Sequence, residues 1–109
     1  MTNQAKGPVD LHGLPESVVD RICTVFACYP AIDRVILYGS RAKGTQHKAS
    51  DIDLTVIGEN LTEAQMLALE TQLDDLLLPY TIDLCPFEAI QNPELIEHIN
   101  RVGLLFFKK

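Results

Sequence analysis

The sequence predicts an α+β chain (α/β-mixed) in which helices and short strands alternate in the order αβαβαβα. Three observations lead there. Three short runs rich in aliphatic and β-branched residues, Ile32–Tyr38, Asp51–Ile57 and Tyr80–Cys85, read as strands. Around them apolar residues recur at helical spacing, with Pro15, Pro30, Pro79 and Pro93 marking boundaries. The length, 109 residues, is that of one domain. A chain of this size buries roughly 60–70% of its unfolded surface, enough for one modest core.

Taken in order, residues 1–13 are polar, carry Gly7-Pro8 and Gly13, and read as a flexible leader to a single domain over 14–109. Pro15 suits a first helical turn, and Val18, Val19, Ile22, Cys23 and Phe26 form an apolar stripe that should end before Pro30. Ile32–Tyr38 is a largely buried strand that runs straight into Gly39-Ser40. Ser40 to Gly44 is a short helix, Thr45 to Ser50 a polar return loop, and Asp51 to Ile57 the second strand, closed by Gly58. Leu61 to Leu78 reads as the longest helix. Thr62 and Gln65 have capping-box spacing, Leu69, Leu73, Leu76 and Leu77 form the buried stripe, and Glu63, Glu70, Asp74 and Asp75 form a solvated face. After Pro79 comes the third strand, then Asn92-Pro93 as an N-cap and first helical residue of a helix to about Val102. Gly103 ends that helix, and Leu104 to Phe107 can add an edge strand.

The net charge of −6 argues against binding a nucleic-acid backbone, yet Arg41, Lys43 and Lys48 cluster in one loop, which suits a small anion such as a nucleotide. No apolar run reaches membrane-spanning length. The three cysteines, Cys23, Cys28 and Cys85, lack CxxC pairing and read as buried small hydrophobes, which fits a reducing, cytoplasmic setting.

The chemistry concentrates between Gly39 and Leu54. Asp51 and Asp53, two apart on an extended segment, project to one side of a sheet about 6–7 Å apart. Carboxylates so placed repel and ask for a cation. A Gly-Ser turn opening a helix is a place for phosphate. The triplet Ile52-Asp53-Leu54 recurs as Ile82-Asp83-Leu84, so neighbouring strands in matching register would put Asp83 on the same face. Three such acids make a two-metal site, with Asp51, Asp53 and Asp83 as ligands of two Mg²⁺ ions. In that site Asp83 is also able to take the proton of an attacking hydroxyl. Ser40 would hold terminal phosphates, and Arg41 and Lys43 would offset their charge. An Asp-x-Asp or a Gly-Ser turn alone is common in turns; the combination in this order is specific. His12 and His98 read as surface residues, His47 as a loop residue near the phosphate path, and Tyr38 as core.

Gly39-Ser40, ten intervening residues, Asp51-x-Asp53 and a third acid in a later strand resemble the DNA polymerase beta nucleotidyltransferase superfamily. The string GSRAKGTQHKASDIDL is similar to that of the minimal nucleotidyltransferase (MNT) proteins. The resemblance covers roughly residues 15–107 and matches at Gly39, Ser40, Asp51, Asp53 and Asp83; Lys43 stands where many members carry arginine. It implies the nucleotidyltransferase fold, a small mixed β-sheet flanked by helices. It also implies Mg²⁺-dependent transfer of a nucleoside monophosphate, AMP from ATP or its counterpart from another NTP, to a hydroxyl. Larger relatives have an acceptor-gripping domain that is not evident here. Minimal members pair with an all-helical HEPN toxin and act as antitoxins by adenylylating its tyrosine, so such a partner is expected, in a hetero-oligomer or alongside a homodimer. Two rival readings are a nucleotide-binding module that neutralises a helical partner by contact, and a transferase acting on a small molecule.

Overall fold

The computed structural model describes residues 13–44 and 51–109. Among the described residues, four helices and four strands follow one another as α1 (Glu16–Phe26), β1 (Ile32–Tyr38), α2 (Gly39–Lys43), β2 (Ile52–Gly58), α3 (Glu63–Asp74), β3 (Ile82–Pro86), α4 (Pro93–Val102) and β4 (Leu104–Lys108). A 3-10 turn, Phe87–Ala89, joins β3 to the approach to α4. The expected leader lies, up to residue 12, outside the described residues, as does the return loop Thr45 to Ser50.

The strands form one mixed sheet in the order β3-β2-β1-β4. β1 pairs antiparallel with both β2 and β4, whereas β2 and β3 run parallel. A parallel pair needs a crossover, and α3 supplies it, as the long helical stretch between the two Ile-Asp-Leu triplets requires. The triplets then meet in register, with Ile52 opposite Ile82, Asp53 opposite Asp83 and Leu54 opposite Leu84.

Alternation along the strands sorts side chains onto two faces. Val35, Leu37, Ile52, Leu54, Val56 and Leu84 join Ile22, Phe26, Leu69 and Leu73 of α1 and α3 in the hydrophobic core. Phe26 is fully buried there, edge-on to Phe106 at 6.4 Å between ring centroids and tilted against Phe107 at 5.7 Å. On the opposite face α4 packs against β1, and a cavity of about 310 Å³ remains among Ile36, Ile57, Phe87 and Ile99. The acids belong to this second, less crowded face.

The capping signals act as the sequence suggests. Thr62 Oγ1 accepts from Gln65 N–H while Gln65 Oε1 accepts from Thr62 N–H, and Asn92 Oδ1 accepts from Glu94 N–H. Two expectations need correction. The long helix ends at Asp74 rather than Leu78, and Leu77 is 87% exposed with a positive φ of 55°. Pro79 disfavours helical backbone in the residue before it, and past the helix end Leu77 turns outward while Leu76 and Leu78 still pack against the core. Cys28 is exposed, since it lies beyond the end of α1; Cys23 and Cys85 are half-buried, and all three thiols are free. Among the described residues, no helix is long and apolar enough to cross a membrane.

Candidate functional site

The C-terminal end of β1 meets the N-terminal end of β2, with Tyr38 directly opposite Asp53, and the chain turns sharply at Gly39 into α2. That turn depends on glycine for two reasons. Its φ is +77°, which side chains with a Cβ seldom adopt. A Cβ at this position would also overlap Asp53 Oδ2 and stand 3.1 Å from Asp53 Cγ. The Asp53 carboxylate therefore occupies the space that the missing side chain leaves, directly against the Gly-Ser turn.

Asp53 lies between its two companions. Asp83 is its cross-strand partner and Asp51 precedes it by two residues. Asp51 and Asp83 are exposed and Asp53 is half-buried. Burial first, then the negative charges of Asp83 and Asp51, raise the pKa of Asp53 above the ordinary aspartate value. Both neighbouring carboxylates thus act electrostatically on Asp53. Among the described residues no three acidic, His or Cys groups close around a single point as a ready-made metal cage. Hard oxygen donors of this kind suit a divalent cation, and Asp51, Asp53 and Asp83 are the residues that could hold one together with ligands from a substrate and water.

Tyr38 and His98 flank the turn at Gly39. Tyr38 Oη lies 3.5 Å from Cys85 Sγ, and its ring stands edge-on to His98 at 6.3 Å and 79°. Burial, the Cys85 contact and the nearby Asp53 and Asp83 charges push the Tyr38 phenol well above its ordinary pKa, so it stays protonated. His98, expected at the surface, is half-buried, and its Nε2 accepts a hydrogen bond of 3.1 Å from Gly39 N–H. Sequence reasoning misses this role because α4 carries no local motif that points to Gly39, 59 positions away.

The basic residues of the turn part ways. Lys43 is exposed at the end of α2. Arg41 is only 2% exposed, and its guanidinium carbon sits 5.2 Å from the centre of the Tyr80 ring, at the entry to β3. That contact tethers α2 to the strand that carries Asp83. Ser40, at the first turn of α2, is half-buried. Lys48 and His47 fall outside the described residues.

This geometry agrees with the comparisons. The family model described as polymerase beta, nucleotidyltransferase matches residues 20–109. The chain belongs to the polymerase beta nucleotidyltransferase family. Divalent metal ions are generally used in that family. The fold is also shared with solved toxin–antitoxin structures. A toxin–antitoxin crystal structure with AMP-PNP matches at 24% identity with a TM-score of 0.67, covering 84% of this chain and 73% of the other. The complex of a tri-AMPylated Shewanella oneidensis HEPN toxin with its MNT antitoxin matches at 18% identity and a TM-score of 0.63, covering 86% and 72%. A MntA–HepT toxin–antitoxin structure matches at 18% identity and a TM-score of 0.62, covering 86% and 73%. At these identities the neighbours show the shared fold. Comparison with curated proteins gave no significant match.

Proposed function

We propose that the protein is a Mg²⁺-dependent nucleotidyltransferase that transfers AMP from ATP to a tyrosine hydroxyl of a HEPN-type partner, and so serves as the antitoxin of a pair. The observation that carries this reading is the in-register pairing of Asp53 with Asp83, beside a glycine turn pressed against the Asp53 carboxylate. The chemistry needs acids beside a turn able to take phosphate, and the Asp53–Asp83 pairing next to Gly39 supports that reading. The partner and the nucleotide are supported by the complexes that share this fold, one holding AMP-PNP and another an AMPylated HEPN toxin.

In this reading Asp51, Asp53 and Asp83 would hold two Mg²⁺ ions. When bound, Mg²⁺ supplies neutralising charge at the transferring phosphate. Ser40, through its N–H and hydroxyl, binds the terminal phosphates, and Lys43 adds a cation at the open side. Arg41 acts from below by holding α2 against Tyr80. Asp83 accepts the proton of the acceptor hydroxyl. The acceptor oxygen then bonds to the α-phosphorus as the bond to the β-phosphate bridge breaks and pyrophosphate leaves.

The test uses ATP labelled in the α-phosphate, Mg²⁺ and the helical partner. Label should move to the partner with the wild-type protein and not with Asp51→Asn/Asp53→Asn. Equal labelling by that variant would overturn the assigned roles. Labelling of a small molecule with no partner present would redirect the acceptor assignment.

A further inference from the structure

The peptide that leads into the phosphate-binding turn is held from outside the motif. Gly39 N–H donates to His98 Nε2 at 3.1 Å, and the imidazole that accepts there carries its proton on Nδ1. The ring is itself fixed edge-on against Tyr38, the residue immediately before the turn. On its other side Gly39 faces the Asp53 carboxylate with no room for a Cβ. Glycine reaches φ +77° without strain, so the turn is held by its neighbours, β2 through Asp53 and α4 through His98.

We propose that His98 is a positioning residue for nucleotidyl transfer: by accepting the Gly39 N–H it fixes the Tyr38–Gly39 peptide and so sets the turn that enters α2 beside Asp53. This inference rests on the nucleotidyltransferase reading above. It has a direct corollary. The Gly39 N–H is committed to α4 and is not offered to phosphate. With His98 gone, a half-buried N–H loses its acceptor, and the bound phosphate becomes its alternative partner, which would shift the nucleotide relative to Asp53. Displacements of about 1 Å at a reacting centre lower rates by up to roughly a hundredfold.

Three proteins test this: wild type, His98→Phe, which keeps a ring against Tyr38 but has no acceptor, and His98→Gln, which restores one. Two readouts are taken on each, exchange of the Gly39 amide proton by NMR and steady-state transfer from Mg²⁺-ATP to the helical partner, with thermal unfolding as a check on folding. His98→Phe should speed Gly39 exchange at least tenfold and lower kcat at least tenfold, with KM for ATP changed less than threefold and the protein still fully folded at the assay temperature. His98→Gln should recover most of both. A purely structural role would instead lower the folded fraction and leave kcat per folded molecule unchanged. Gly39 exchange in His98→Phe equal to wild type, or kcat within twofold of it, would overturn the proposal. If wild type itself transfers nothing, the nucleotidyltransferase reading fails, while the amide readout still decides whether His98 holds the turn.

Discussion

Gly39→Ala is the substitution whose effect follows most directly from the geometry. Two penalties combine. An L-residue in left-handed backbone costs about 1–2 kcal/mol. The added methyl also overlaps Asp53 Oδ2, so the carboxylate, the softer neighbour, must rotate or withdraw. Stability should therefore fall by about 1–3 kcal/mol, the range for a strained backbone position. For a domain near 100 residues each kcal/mol corresponds to about 4–8 °C in unfolding temperature. Activity should suffer more, because moving Asp53 by on the order of 1 Å costs roughly a hundredfold in rate. Thermal unfolding and label transfer on the same preparation separate the two effects. A double-mutant cycle with Asp53→Ala isolates the overlap: in that background Gly39→Ala should show only the backbone penalty. If Gly39→Ala transfers label at the wild-type rate, the close approach of turn and carboxylate is not part of the site's working geometry.

Three further outcomes are expected. Because the Asp53 pKa is raised, its contribution to stability is fully present below the ordinary aspartate pKa and is lost as pH rises through its folded-state value. Asp53→Asn should accordingly stabilise the metal-free protein at neutral pH, with the gain shrinking as pH is lowered, as unfolding temperatures across pH would show. Phe26→Ala removes a fully buried ring set against Phe106 and Phe107 and should destabilise by about 3–5 kcal/mol in chemical denaturation. The Cys23 thiol, pushed up to about 11 by burial and then by Asp20, and donating to Phe106 O at 3.4 Å, should alkylate far more slowly near pH 8 than the exposed Cys28, measured by peptide mass spectrometry.

The parts of this fold governed by local signals are legible in the amino-acid sequence. Strand β1 occupies the same residues that its pattern marks, because a β-branched run ending in Gly-Ser leaves few alternatives. The repeated Ile-Asp-Leu triplet carries the register, since a one-residue slip of either strand would turn its leucine out of the core and its acid into it. Thr62 and Asn92 announce their helices through side-chain hydrogen bonds that span three residues or fewer. What the sequence hides depends on distance along the chain. His98 reaches Gly39 only because β4 returns alongside β1 and lays α4 over the sheet. Tyr38 reads as core by hydrophobicity, but its hydroxyl spans the sheet to Cys85 on β3. Arg41, a cation in a loop motif, is turned inward by Tyr80, an aromatic that no spacing rule connects to it. Leu77 shows the opposite failure, where periodicity continues past the point at which the backbone leaves the helix.

The central claim is that the Asp53–Asp83 pair and the Gly39–Ser40 turn together transfer a nucleotidyl group, not a phosphoryl group. Parallel reactions with ATP labelled either in the α- or in the γ-phosphate, each with Mg²⁺ and the helical partner, test it in one step. The account predicts that α-label appears on the partner while γ-label leaves as pyrophosphate, and that Asp53→Asn abolishes the first. Label on the partner from γ-labelled ATP, or α-label transfer undiminished in Asp53→Asn, would contradict it.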